Sequence, residues 1–194
     1  MTDIIKQGAQ ILSASDYNRL RSQLNPQHRM VFDGLIFTGM RGEEFWRFMD
    51  HPKWFHPERQ FIELPPGAIL KIEAKQKERT VLLSHVGVRA IRDMLDAQDR
   101  GALSGVTRSR AGWRANLLRA AINAGLSPRG ITPKMTRKTW VSWLMSTYPN
   151  DGIRIAAATG HDTNTMTNYY LSMPFTIQER EEIKSLVAGW GGNG

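Results

Sequence analysis

Apolar residues recur along most of this chain at the three- and four-residue spacing of amphipathic helices, and one stretch departs from it. Ser13 or Ser15 can cap a helix beginning near Asp16, in which Tyr17, Leu20 and Leu24 share a face. A second helix is predicted over 27–38, with Met30, Val31, Leu35 and Ile36 at helical spacing, and a third over 43–48, stopping before Pro52. Between 60 and 84 the pattern changes. Phe61-Ile62-Glu63-Leu64 alternates loosely, Pro65-Pro66-Gly67 breaks it, and Ile69-Leu70-Lys71-Ile72 resumes. Thr80-Val81-Leu82-Leu83 then follows a polar turn at Lys75-Gln76-Lys77-Glu78, so three short antiparallel strands are predicted. Helices are predicted again over 86–98, 109–124, 135–147, 151–158, 162–171 and 176–189. The last carries Ile183, Leu186, Val187 and Trp190 in one apolar stripe. The fold class expected is mainly α with a small three-stranded antiparallel sheet inserted near the first third of the chain.

The length of 194 residues suits one domain with short tails. We expect an N-terminal extension over 1–12, a domain over 13–190 that includes the C-terminal helix, and a flexible tail at 191–194. No apolar run is long enough to span a bilayer, and the first ten residues lack the charged-then-apolar layout of a secretion signal. Cysteine is absent, which excludes disulfides, thiolate catalysis and Cys-ligated zinc, and fits a reducing cytoplasm.

Charge sharpens the picture. The formal net charge is +8, which favours a polyanionic partner. From Arg100 to Trp140 there is no acidic residue, yet the stretch carries Arg100, Arg108, Arg110, Arg114, Arg119, Arg129, Lys134, Arg137 and Lys138. We read it as a phosphate-tracking surface rather than a merely solvated face. A helix over 109–124 turns Trp113, Leu117, Ala120 and Ala124 inward and leaves Arg110, Arg114 and Arg119 free to reach phosphates, with Arg108 and Lys138 as further candidates for DNA contact.

Four segments carry the chemistry. They are Thr38-Gly39-Met40-Arg41-Gly42-Glu43-Glu44, the run Lys75 to Leu83, Lys134-Met135-Thr136-Arg137, and Thr159-Gly160-His161 followed nine residues later by Tyr170. Each alone has a plain structural explanation: a helix C-cap glycine, a soluble hairpin tip, a second helix end, or an aromatic pair, Tyr169-Tyr170, on an amphipathic helix. Their order and spacing resemble the tyrosine recombinase (integrase) family. Its Thr-Gly-x-Arg-x-x-Glu motif matches Thr38, Gly39, Arg41 and Glu44. Its hairpin lysine ahead of a Lys-x-Arg-x-Val-x-Leu strand matches Lys75 before Lys77, Arg79, Val81 and Leu83. Its His-x-x-Arg box aligns with Lys134 to Arg137, and its Gly-His with a later tyrosine aligns with Gly160, His161 and Tyr170. The resemblance runs from about residue 13 to the C-terminus.

The resemblance implies the catalytic-domain fold of that family and a catalytic set of Arg41, Lys75, Lys134, Arg137, His161 and Tyr170. In it Tyr170 attacks a DNA phosphodiester and forms a covalent 3′-phosphotyrosyl bond, so rejoining needs no ATP. Arg41 and Arg137 stabilise charge on the phosphate, because a guanidinium fork bonds two oxygens and stays ionised. His161 is expected to donate a further hydrogen bond to that phosphate. Lys75 is the general acid for the leaving 5′-oxygen. No zinc, Mg²⁺ or nucleotide is required, and no P-loop or metal-ligand spacing is present; His51 and His56 read as loop residues near Pro52 and Pro57.

This chain departs from the family pattern in three places. Lys134 stands where most members have histidine, a variant it shares with a branch of archaeal viral integrases. As a proton acceptor Lys134 would have to be buried near other cations; otherwise it acts by charge alone. The hairpin is one residue short, which leaves Lys77 and Lys71 behind Lys75 as alternatives. The DNA-clamping helical domain that normally precedes the catalytic domain does not precede it here, so a fragment or a minimal enzyme is expected. The C-terminal stripe packs either on its own domain or on a neighbouring protomer, as in a tetramer on double-stranded DNA. Two other readings are carried: a DNA-binding accessory protein that has lost catalysis, and a type IB topoisomerase. Neither a membrane nor a nucleotide partner is expected.

Overall fold

Helix α6, Lys134–Thr147, is the element around which the rest is arranged. Met135, Trp140, Val141, Trp143, Leu144 and Met145 are all buried, so it is apolar on more than one face and needs neighbours all round. It packs against β2 (Ala9–Ile11), α2 (Pro26–Thr38), α7 (Gly152–Thr159) and the C-terminal helix α8 (Ile177–Val187). This computed structural model describes residues 3–66, 78–162, 164, 170 and 173–192. The remaining elements are β1 (Ile4–Lys6), α1 (Ala14–Ser22), α3 (Gly42–Asp50), β3 (Phe55–His56), β4 (Phe61–Leu64), β5 (Arg79–Leu82), α4 (His85–Asp99) and α5 (Arg110–Asn123).

Local chemistry sets the helix boundaries close to where the sequence pattern puts them. Ser13, Asn25, Ser84, Ser109 and Thr176 each accept a backbone N–H of the first helical turn, at α1, α2, α4, α5 and α8. Thr176 and Glu179 form a reciprocal capping box. The core joins all the helices. Tyr17 stacks on Phe32 and meets Phe37 and Trp143 edge-on, with centroids 5.6–5.7 Å apart.

The sheet is three-stranded and antiparallel, in the order β3-β4-β5. Its first strand is Phe55–His56, which sequence reading assigned to a loop; two residues are too few to show a period, and His56 is held instead by its ring against Phe61. The strand expected at 69–72 lies outside the described residues. So does most of the helix expected at 162–171, of which Asp162, Asn164 and Tyr170 are described, the last two helical and Asp162 not.

Residues 4–11, expected to belong to an extension, form a β-hairpin that closes on α6. Gln7 and Gly8 both have positive φ, 46° and 71°, as a two-residue turn matched to the strand twist requires. Gln10 N–H donates to Gly130 O at 2.9 Å. Leu12 donates to Thr139 Oγ1 at 3.1 Å, and Trp143 Nε1 donates to Leu12 O at 2.8 Å.

At the other end, α8 stops at Val187 and the chain turns at Gly189, so Trp190 approaches from outside the helix. Ile183, Val187 and Trp190 are fully buried on their own chain. Trp190 stacks on Tyr148 at 5.8 Å and donates to Leu82 O at 3.1 Å. Gly191, expected in a flexible tail, accepts a hydrogen bond from Arg154. Among the described residues no helix is long and apolar enough to cross a membrane.

Candidate active site

Two helix ends and one helix start build the site. Helix α2 ends at Gly39 in the left-handed region, φ 58°, and a Cβ there would lie 2.5 Å from Trp140 Cδ1. That turn makes Arg41 the N-cap of α3. Helix α7 ends at Gly160, also left-handed, which turns the chain so that His161 follows directly. Between them lies Arg137, one turn into α6. Its Nη1 donates to Gly39 O at 2.8 Å and its Nη2 to Gly160 O at 3.3 Å. One guanidinium therefore ties together the carbonyl ends of two helices, where a cation is favoured. Burial, then the charges of Arg41 and Arg79, pull the Arg137 pKa down to about 9 against the opposing pull of Glu44, so it remains charged at neutral pH.

Arg41 is oriented by Glu44. Its backbone N–H donates to Glu44 Oε2 at 2.7 Å and its Nη1 to Oε1 at 2.8 Å. The Arg41 side chain stays 47% exposed and the Glu44 carboxylate is fully buried. Burial alone would raise the Glu44 pKa. The hydrogen bonds and charge of Arg79, the Arg41 N–H and the charge of Arg137 outweigh it and hold the carboxyl at about 2.

His161 carries Nδ1 2.9 Å from Thr159 Oγ1 and 3.5 Å from Arg137 Nη2. Burial, then Arg137, Arg41 and Arg79, lower its pKa to about 3, with Asp162 opposing. The ring is neutral at physiological pH. The Tyr170 ring lies 6.0 Å from it, tilted by 57°. Tyr170 is 3% exposed, and burial raises its pKa while Arg137 opposes the rise.

Arg41, Arg137, His161 and Lys134 all line one open cleft of 1610 Å³. That exceeds the roughly 300–1,000 Å³ of a small-molecule pocket. Arg79, Arg108, Arg110, Lys138 and Arg154 also line it, against the acids Glu43 and Glu78.

No family model matches this chain, and no curated protein matches it. Among solved structures it is similar to one described as the crystal structure of XerA recombinase. The TM-score is 0.61 at 17% identity, covering 95% of this chain and 65% of that one. The fold is that of a tyrosine recombinase catalytic domain. The chain spans about 65% of the length of the XerA recombinase chain.

Within this recombinase fold the expected residues divide. Arg41, Lys134, Arg137 and His161 share the cleft, and Tyr170 lies buried beside His161. Lys134 is the exposed first residue of α6, so it lacks the burial that a neutral-lysine role demands. Lys75, with Lys71 and Lys77, lies outside the described residues. Arg110 lines the cleft, and Arg114 and Arg119 are exposed along α5. Arg108 pairs with Asp50 at 2.7 Å and sits over the Trp46 ring. Lys138 is committed to the N-terminal hairpin, donating to Lys6 O at 2.8 Å, Gln7 Oε1 at 3.0 Å and Gln7 O at 3.3 Å.

Two site residues went unassigned in the sequence. Arg79 grips Glu44, and its guanidinium lies within 3.0 Å of where a Gly160 side chain would begin. Both residues stand inside the quoted motifs. The signal that pairs them is tertiary, since 35 residues separate them.

Proposed function

We propose that this chain is a site-specific DNA recombinase that cleaves and rejoins double-stranded DNA through a covalent 3′-phosphotyrosyl bond at Tyr170. The observation that carries the reading is the grouping of Arg41, Arg137 and His161 on one cleft with Tyr170 packed against the histidine ring. Arg41 and Arg137 supply fixed positive charge for the non-bridging phosphate oxygens, and their positions are set before DNA arrives by Glu44 and by two helix ends. Lys134 adds charge from the cleft wall. Lys75 is proposed as general acid toward the leaving 5′-oxygen. The chemistry calls for neither a metal nor ATP, because the phosphotyrosyl bond retains the energy of the phosphodiester.

Tyr170 is buried in the free protein, and in the proposed reaction its hydroxyl meets the scissile phosphate in the cleft. The basic lining supports DNA as partner, and the protein would then work wherever DNA is found inside the cell. Assembly as a tetramer on DNA is part of the proposal, with the C-terminal stripe remaining in cis. The lysine at position 134 favours integration of a viral or other mobile element among the uses of such an enzyme.

The test is a nicked DNA substrate whose cleaved end diffuses away. The wild-type chain accumulates a covalent adduct, and Tyr170→Phe forms none while binding DNA with unchanged affinity. The burial of Tyr170 favours one other reading, a DNA-binding accessory protein without catalysis. That protein binds DNA in a salt-dependent way and forms no adduct on any substrate.

A further inference from the structure

A tyrosine hydroxyl with pKa near 10 needs a proton acceptor to attack at neutral pH. In the proposed reaction the box that usually provides a histidine provides Lys134, which is exposed. The acceptor therefore has to be sought elsewhere, and the hydrogen bonds around His161 identify one.

Thr159 has one hydroxyl proton, and its Oγ1 donates it to Ile155 O at 2.6 Å. Thr159 Oγ1 is then an acceptor toward His161 Nδ1, 2.9 Å away. The ring proton of neutral His161 sits on Nδ1, and Nε2 carries the lone pair. Arg137 Nη2 stands farther from Nδ1, at 3.5 Å, with one of its two N–H groups on Gly160 O, so the 2.9 Å contact to Thr159 is the one that sets the tautomer. Such an imidazole accepts a hydrogen bond through Nε2 and cannot donate one to a phosphate.

We propose that His161 is the general base of this chain: its Nε2 takes the phenolic proton of Tyr170 as the phenolic oxygen attacks phosphorus. The proposal rests on the recombinase reading. The O–H bond of Tyr170 breaks and the proton moves to Nε2. The phenolic oxygen forms a bond to phosphorus, and the bond from phosphorus to the 5′-oxygen breaks. That oxygen takes a proton from the ammonium of Lys75. On rejoining, each proton returns.

The surroundings of His161 fit this order of events. Burial, then the charges of Arg137, Arg41 and Arg79, keeps the ring unprotonated in the free protein, and Asp162 is the acidic group opposing them. When DNA brings a phosphate anion into the cleft, that anion offsets the three cations, and the imidazolium formed by proton transfer stands beside negative charge. The Tyr170 ring is the neighbour of the imidazole, 6.0 Å away between centroids and tilted by 57°.

The test uses the full chain on nicked DNA. His161→Gly lowers the rate of adduct formation by about 10²–10⁴-fold, the usual contribution of general acid–base catalysis. Added imidazole restores it in proportion to the unprotonated fraction, so rescue rises with pH between about 6 and 8. In a second arm Tyr170 is replaced by a fluorinated tyrosine that ionises without a base, and the defect caused by His161→Gln shrinks at least tenfold. The second arm takes the ratio of wild type to His161→Gln with each nucleophile, so a folding defect common to both cancels. Rescue that grows as the pH falls would mean that the ring donates a proton, and would overturn the proposal. A defect unaltered by the fluorinated nucleophile would overturn it equally. A wild-type chain that forms no adduct would sink the recombinase reading and this inference with it.

Discussion

Arg79 holds Glu44 with both arms of its guanidinium, Nη1 to Oε1 at 2.7 Å and Nη2 to Oε2 at 2.6 Å. Both side chains are buried, and the same carboxylate orients Arg41. A strand of the small sheet thus fixes a cleft arginine on α3. Arg79→Ala leaves the Glu44 charge buried beside fewer cations and is expected to destabilise the fold by about 3–5 kcal/mol. Arg79→Met with Glu44→Leu should lose less than Arg79→Ala alone. Urea denaturation of the single and double variants checks both statements.

Two buried groups make the fold sensitive to acid in two overlapping windows. The His161 pKa is depressed from 6.5 to about 3, so the unfolded chain takes up its proton first, and stability declines as the pH falls from 6.5 toward 3. The Glu44 pKa is depressed from 4.5 to about 2, so its contribution is complete above 4.5 and is lost as the pH falls toward 2. Denaturation midpoints measured from pH 7 to pH 2 should fall through both windows. His161→Gln should flatten the upper one and Glu44→Gln the lower one.

Lys138 and Arg110 separate structure from DNA contact. Lys138 is bound to three oxygens of the N-terminal hairpin. Lys138→Ala is expected to lower stability by about 1.5–3 kcal/mol with little change in how DNA affinity depends on salt. Arg110 lines the cleft, and Arg110→Ala should reduce the slope of log affinity against log salt by about one while leaving stability within about 0.5 kcal/mol.

What the sequence discloses depends on the range of the interaction. The helices declare themselves through local signals, as with Ser109 capping α5 and Trp113, Leu117 and Ala120 on its inner face. Arg41, Arg137, His161 and Tyr170 can be picked out as candidates because order and spacing along the chain survive in one dimension. Strand Phe55–His56 is too short to show a period, and the Gln7-Gly8 turn lacks the Asn or Asp that usually marks a two-residue hairpin. The grip of Arg79 on Glu44 and the capture of Lys138 by the hairpin join residues 35 and 132 positions apart. No local pattern encodes such pairs, so the bonds of Lys138 to the hairpin are not legible in the sequence.

The C-terminal stripe is buried on its own chain, with Trp190 against Tyr148 and Leu82. Trp190→Ala is expected to destabilise the domain by about 3–5 kcal/mol. Because the docking is in cis, the melting temperature of the wild-type protein should not change with protein concentration. A midpoint that rises with concentration would show that the stripe docks on a second copy.

The central claim is that Tyr170 becomes covalently joined to DNA. The most direct measurement is to trap the adduct on nicked DNA, digest the protein and the DNA, and locate the modified residue by mass spectrometry. The account predicts a nucleotide phosphate on Tyr170 and none in Tyr170→Phe. A phosphate on Tyr169, or no modified peptide from a chain that binds the substrate fully, would contradict it.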